Sequence, residues 1–185
     1  MRECKRALRA QIRGQIKAFS VDSLAEMSSQ IVSRIEALEE FRCASTVAVY
    51  WSLESEAATH DLVRKYASLK RIVLPVVTGD VMHFAEVDGD CANLSEGAFG
   101  VMEPREGRVC LPEDIDLMLV PAMAFDRRGG RLGHGKGYYD RYFEHYTGPK
   151  VGICFDFQLV DEVPCEPFDV RVDAVLTEKE YICSR

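Results

Sequence analysis

The sequence has no apolar run approaching the ~18–20 residues that a membrane span requires. Its longest candidates, residues 47–53 and 117–125, are strand-sized. None of its seven cysteines forms a CxxC pair, which excludes a zinc ribbon or a dithiol redox motif and makes reduced thiols the expectation. It has no basic tract: 23 Lys and Arg stand against 30 Asp and Glu, a formal net charge of −7. That balance argues against nucleic acid or an anionic membrane as the partner, though a local basic site for a small anion stays open. The N-terminal stretch MRECKRALRAQIRGQIK is charged throughout and lacks the apolar segment of a signal peptide, so a cytoplasmic protein is expected. No repeat, low-complexity tract or long linker divides the chain. With 185 residues, 47% of them hydrophobic, a single domain over residues 1–185 with a substantial core is expected.

Periodicity supplies the elements. Leu8, Ile12 and Ile16 recur every fourth residue, and Leu24, Met27, Ile31, Ile35 and Leu38 keep helical spacing, with Ser23 and Glu26 in a capping-box pattern. Residues 46–53 (TVAVYWSL) and 71–77 read as β-rich strands around a helical stretch at 57–69, and 81–87 alternates like an edge strand. Residues 90–112 read as loop with short extended pieces. The run DLMLV at 116–120 resembles a central parallel strand, residues 137–145 a helix, and 150–155 and 172–176 two further strands. Strands alternating with helices predict an α/β domain with a mainly parallel sheet, whose ligands bind beyond the carboxyl ends of the strands.

The informative stretch is LMLVPAMAFDRRGGRLGHGKGYYDRYF, residues 117–143. Five of the thirteen glycines fall at 129, 130, 133, 135 and 137, between a strand and a helix. Such glycines let backbone N–H groups approach an anion, and Arg131 and Lys136 add positive charge. A flexible surface turn is the plain alternative. Gly130, Gly135 and Lys136 satisfy G-x4-G-K, but Gly137 replaces the Ser or Thr of a P-loop, and residues 121–129 separate the loop from its strand. An ordinary P-loop NTPase is therefore rejected. A divalent metal accompanying phosphates would need a carboxylate, and Asp140 is the nearest; alone, it reads as a first-turn acid favouring the helix dipole.

The run VPAMAFD..G.RLG.GKGYYDRY closely resembles the signature of the 5-formyltetrahydrofolate cyclo-ligase family. Weaker pieces follow the family's order: Lys5 and Arg9 in CKRALR, YWSLESE with Glu56, FGVMEP at residues 99–104, and VRVDAVLT with Asp173. The resemblance implies a three-layer α/β/α domain whose open sheet is like that of sugar-phosphate isomerases and CoA transferases. It also implies conversion of 5-formyltetrahydrofolate, with or without a polyglutamate tail, to 5,10-methenyltetrahydrofolate with ATP and Mg²⁺, by a monomer.

Residue by residue, the resemblance makes Arg131, Leu132, Gly133, His134, Gly135, Lys136, Gly137, Tyr138 and Tyr139 the ATP-phosphate cradle, with Lys136 and Arg131 stabilising the transferring group. Lys5 and Arg9, four apart on one helical face, would reach the nucleotide. Asp140 and Asp173 become the Mg²⁺ candidates. Glu56 would hold the pterin's aminopyrimidine edge, with Tyr50, Trp51, Phe99 and Tyr138 as walls. Core packing is the alternative for Tyr50 and Tyr139, and solvated charge for Lys5 and Arg9. His134 departs from the Arg, Gly or Tyr common at its position and reads as a spectator; Trp51 stands where a smaller residue is common. Two rivals remain at this point: a sugar-phosphate or CoA-ester protein using the same loop, and a folate binder without turnover.

Overall fold

The computed structural model describes residues 1–97, 100–166 and 169–184. Among the described residues the α-helices and strands begin with α1 (Arg2–Ile16), α2 (Val21–Ala37) and α3 (Glu39–Cys43), followed by β1 (Thr46–Ala48), α4 (His60–Tyr66), β2 (Arg71–Thr78) and β3 (Val81–Glu86). The short strands β4 (Leu94–Glu96), β5 (Met102–Pro104) and β6 (Val109–Cys110) lead into β7 (Leu117–Pro121), β8 (Ala124–Asp126) and β9 (Arg131–Leu132). The chain closes with α5 (Tyr138–Tyr142), β10 (Lys150–Ile153), β11 (Leu159–Val160), β12 (Ala174–Leu176) and β13 (Tyr181–Cys183).

The main sheet runs β13-β12-β10-β7-β1-β2-β3-β6. Its five central strands are parallel, and antiparallel β3 and β13 lie outside them. Side chains of a strand alternate between faces, and two cores follow from that period. Val47, Ile72, Leu74, Leu117 and Leu119 pack with Ile31, Ile35, Phe41 and Leu62 of α2–α4. Ala48, Val73, Met118 and Val120 point the other way, toward Tyr142, Phe143 and Tyr146 of α5 and the turn after it. All five residues of β7 are buried, as a strand covered on both faces requires. The mainly parallel, three-layer expectation therefore holds, with one helical layer much thinner than the other.

Local details differ from the sequence reading. The N-cap of α2 is Ser20, whose hydroxyl accepts the Ser23 amide at 3.1 Å, so Ser23 is inside the helix. Strand β1 stops at Ala48; Val49 N–H still donates to Val73 O of β2 at 3.0 Å, and residues 50–53 leave the sheet. Residues 90–112 contain the β4–β5 hairpin and β6. Much of the expected Gly-rich loop is instead a small sheet, β11-β8-β9, whose hairpin turn holds Gly129 and Gly130. Buried Asp126 closes that turn by accepting the amides of Arg128 and Gly130, each at 2.9 Å, and its second oxygen accepts Val163 N–H at 2.9 Å. Those two glycines thus serve a hairpin rather than an anion. Helix α1 packs Ile12 against Ala124 and Leu132 of this small sheet and against Met123 just before it, which brings the first turns of the chain beside residues 131–137.

Strand order reverses between β1 and β7: the chain passes from β1 outward to β2, then returns to the far side of β1 with β7. In an open α/β sheet the carboxyl ends of the strands flanking such a switch point open into a crevice.

Candidate functional site

A cavity of about 380 Å³ occupies that crevice. Tyr50 and Trp51 follow β1, Pro75 and Val77 belong to β2, and Pro121 ends β7; the segment 131–140 closes it, and α1 supplies Lys5 and Arg9.

One wall is residues 50–56, tightly hydrogen-bonded. The Tyr50 hydroxyl donates to Ala57 O at 2.9 Å, and Thr59 Oγ1 donates to Tyr50 O at 2.5 Å. His60 Nε2 lies 3.0 Å from both the hydroxyl and the carbonyl oxygen of Ser52. The His60 ring also stacks on Trp51, with centroids 4.3 Å apart, and the Arg64 guanidinium sits 5.4 Å from the Trp51 centroid. Burial holds the His60 imidazole below its usual range, which keeps it neutral as a packing partner. Glu56 Oε2 accepts Leu53 N–H at 2.9 Å, and Oε1 lies 2.9 Å from His134 Nε2; only 6% of the Glu56 side chain is exposed.

The opposite wall is cationic and glycine-rich. Gly135 and Gly137 have φ of +102° and +70°, values that a side chain would strain, so these positions require glycine. Arg9 Nε donates to Gly133 O at 2.8 Å, and Lys136 lies on the exposed part of the loop. Arg131 is buried beneath it: Nη2 donates to Asp140 Oδ1 at 2.6 Å, and its guanidinium lies 5.4 Å from the Tyr139 and 5.6 Å from the Phe143 ring centroid. Helix α5 has only five residues, so its dipole adds little and the loop's positive charge comes from side chains. Tyr138 donates to Gly79 O at 3.1 Å and Arg141 to Asp80 O at 2.9 Å, which docks α5 on the β2–β3 turn.

At the rim Lys5 is held by Asp169 at 2.6 Å and by Glu166 at 3.2 Å. Partial burial works against charge on both Lys5 and Asp169, yet the bonds between them win. The lysine is pushed above its ordinary value and Asp169 below its own. For Arg9, burial and then the neighbouring Arg13 lower the guanidinium from its usual value.

The cavity gathers Lys5, Arg9, Tyr50, Trp51, Glu56, residues 131–139 and Asp140. Tyr50 and Tyr139 are both cavity wall and core. The Tyr139 hydroxyl is buried without a hydrogen-bond partner, and desolvation, followed by Glu56, pushes it well above the usual phenol range. Phe99 lies outside the described residues. Asp173 is the correction. It precedes β12, at the amino ends of the parallel strands, where it accepts Lys150 N–H at 2.9 Å and faces Lys150 Nζ at 3.4 Å. It does not line the cavity, so it does not join Asp140 there. No cluster of three His, Cys, Asp or Glu side chains suited to a metal occurs among the described residues. Sequence reasoning missed Glu103 and Asp169 as cavity residues. Glu103 was within view in FGVMEP, whereas nothing local in the sequence marks Asp169 as the partner of Lys5.

Known proteins resemble this chain in sequence and fold. An Escherichia coli K12 5-formyltetrahydrofolate cyclo-ligase is 32% identical over 176 residues, 90% of this chain and 96% of that protein. The solved structure of Aquifex aeolicus 5,10-methenyltetrahydrofolate synthetase superposes with a TM-score of 0.90 at 35% identity, covering 98% of this chain and 93% of that one. That of a Mycoplasma pneumoniae 5,10-methenyltetrahydrofolate synthetase does so at 0.76 and 29%, covering 94% and 98%. The family model for 5-formyltetrahydrofolate cyclo-ligases matches residues 1–178, and the chain belongs to that family.

Proposed function

We propose that this protein uses ATP to cyclise 5-formyltetrahydrofolate to 5,10-methenyltetrahydrofolate, releasing ADP and phosphate. The observation that carries the reading is a single cavity with a cationic glycine loop on one side and a buried carboxylate beside an aromatic ring on the other. A formyl group on nitrogen is a poor electrophile. Transfer of the γ-phosphoryl group to its oxygen creates a leaving group; N10 then attacks the formyl carbon and gives up its proton, and phosphate departs with that oxygen. The protein's task is alignment and charge stabilisation rather than covalent catalysis.

In this assignment the amides of residues 133–137, with Arg9 and Lys136, hold the phosphates, and Lys136 neutralises charge developing on the transferring group. Lys5 joins them from the same face of α1. Arg131, buried and paired, holds Asp140 and the loop in place. Glu56 accepts paired hydrogen bonds from the aminopyrimidine edge of the pterin, and Trp51, Tyr50 and Tyr138 flank the folate. Asp140 fits the role of a Mg²⁺ ligand, since a hard cation takes one or two carboxylates together with substrate phosphates. Bound Mg²⁺ would neutralise phosphate charge there. We further assign the activity to one domain acting as a monomer in the cytoplasm. All seven cysteines are free, and no helix among the described residues is long and apolar enough to cross a membrane.

The test mixes protein, 5-formyltetrahydrofolate, ATP and Mg²⁺ and follows the near-ultraviolet absorbance of the methenyl product. Absorbance should grow only in the complete mixture. A flat trace with folate binding still measurable by calorimetry would make the protein a folate binder. A flat trace without binding would return the loop to the sugar-phosphate and CoA-ester chemistries.

A further inference from the structure

The contact between His134 and Glu56 joins the two walls of the cavity. An ionised carboxylate offers only acceptors, so the imidazole must carry its hydrogen on Nε2 and donate to Oε1. The other oxygen is committed to Leu53 N–H. Both oxygens of Glu56 are therefore engaged, one by the backbone turn that shapes its wall and one by a side chain from the phosphate loop. The His134 side chain is about one-third exposed, and its neighbours in the chain, Gly133 and Gly135, carry no side chains to hold the ring in place.

We propose that His134 is a placeholder for the aminopyrimidine edge of the folate: it occupies the recognition carboxylate, and the substrate displaces it to bind. This rests on the assignment of Glu56 to the pterin. The pterin N3–H and 2-amino group present two donors side by side, and their bidentate pairing takes one acceptor site on each oxygen: the second site of Oε2, beside Leu53 N–H, and the side of Oε1 that the imidazole now fills. Binding thus exchanges one hydrogen bond for two, and its net gain is reduced by the strength of the bond that breaks. His134 thereby sets folate affinity without touching the reacting atoms. It also ties the position of the phosphate loop to whether Glu56 is engaged by folate.

The experiment is calorimetric titration of 5-formyltetrahydrofolate, without nucleotide, into the intact wild-type protein and H134A. Removing the competitor should tighten binding roughly three- to tenfold, the exchange value of one hydrogen bond of this kind. A folate analogue lacking the 2-amino group, which loses the paired contact, should gain less than twofold from the same substitution. Unchanged or weaker 5-formyltetrahydrofolate binding by H134A would overturn the placeholder role, as would an equal gain for both ligands. E56Q separates this from the underlying assignment. If E56Q leaves folate affinity intact, the pterin site is elsewhere; if E56Q weakens binding and H134A does not strengthen it, only the placeholder fails.

Discussion

The two walls of the cavity are held in different ways. Residues 50–60 form a closed network in which Tyr50, Ser52, Glu56, Thr59 and His60 each satisfy a neighbour's donor or acceptor, and Trp51 is clamped against His60. Bonds within the segment itself define the shape of that wall. The contacts that hold residues 133–137 include Arg9 to Gly133 O, His134 to Glu56, and the Arg141 side chain and amide to Lys136 O and Gly137 O. Two of the loop's five residues lie in the left-handed region. Rigidity on the first wall suits recognition of a planar, hydrogen-bonding ring, where pre-organisation lowers the cost of binding. Looseness on the second suits phosphates that must be admitted, transferred and released. The division predicts that substitutions on the first wall act on folate affinity and those on the second act on turnover.

K136A is the strongest attempt to break that division. Lys136 is exposed, so its removal should leave the melting temperature nearly unchanged. Losing one charge-stabilising group at a phosphoryl transfer should lower kcat by about 10²- to 10³-fold. The 5-formyltetrahydrofolate Kd from calorimetry should move less than about twofold. Turnover equal to wild type would take Lys136 out of the chemistry, and a large loss of folate affinity would mean that the two walls are not separate.

E56Q is the complementary probe, with a smaller effect. The amide keeps an acceptor for Leu53 N–H, so the turn survives, but it offers an NH₂ where the pterin needs an acceptor. Losing a charge-assisted pair should raise the folate KM about ten- to a hundredfold with kcat changed much less. A fall in kcat with an unchanged KM would place Glu56 in the transfer step.

The two regions were unequally legible in the sequence. The central strand is legible as an unbroken apolar run, because Leu117, Met118, Leu119 and Val120 are buried on either side of the sheet and every one must be apolar. The Gly-rich signature located the second wall, yet sequence spacing could not separate Gly129 and Gly130 from Gly133, Gly135 and Gly137. What separates them is Asp126, whose carboxylate folds the first pair into a hairpin. Lys5 and Arg9 looked like solvated charges by composition. They become site residues only because Ile12, on the buried face of α1, docks the helix on β8 and β9. Asp173 shows the opposite failure, since a strand-start acid and a strand-end acid read alike until the direction of the strand relative to the cavity is known. The His134–Glu56 bond joins residues 78 apart in the chain, and no local pattern announces such a contact.

The rim gives the smallest and most specific test, because the clasp between Lys5 and Asp169 belongs to neither wall. Its pH dependence follows from the shifts. Asp169 is held below its ordinary value: burial opposes this, but the bond from Lys5 and the Glu166 amide outweigh it. Its contribution is therefore complete above the usual aspartate value of about 3.9 and is lost as pH falls through the lowered native value. Lys5 is raised despite burial, so its share is complete below about 10.4 and fades only as pH rises through its raised value. Between those limits the clasp is constant. Both side chains are mostly buried, at 16% and 13% exposure, which places the pair near the upper end of partly exposed ion pairs, about 1 kcal/mol. D169N should then lower the melting temperature by about 2–4 °C at pH 7. The gap between variant and wild type should narrow as both are taken well below pH 3.9, where wild-type Asp169 becomes protonated too. A gap of equal size at both extremes would mean that Asp169 holds the rim through its backbone-directed bond to Glu166 rather than through its charge on Lys5.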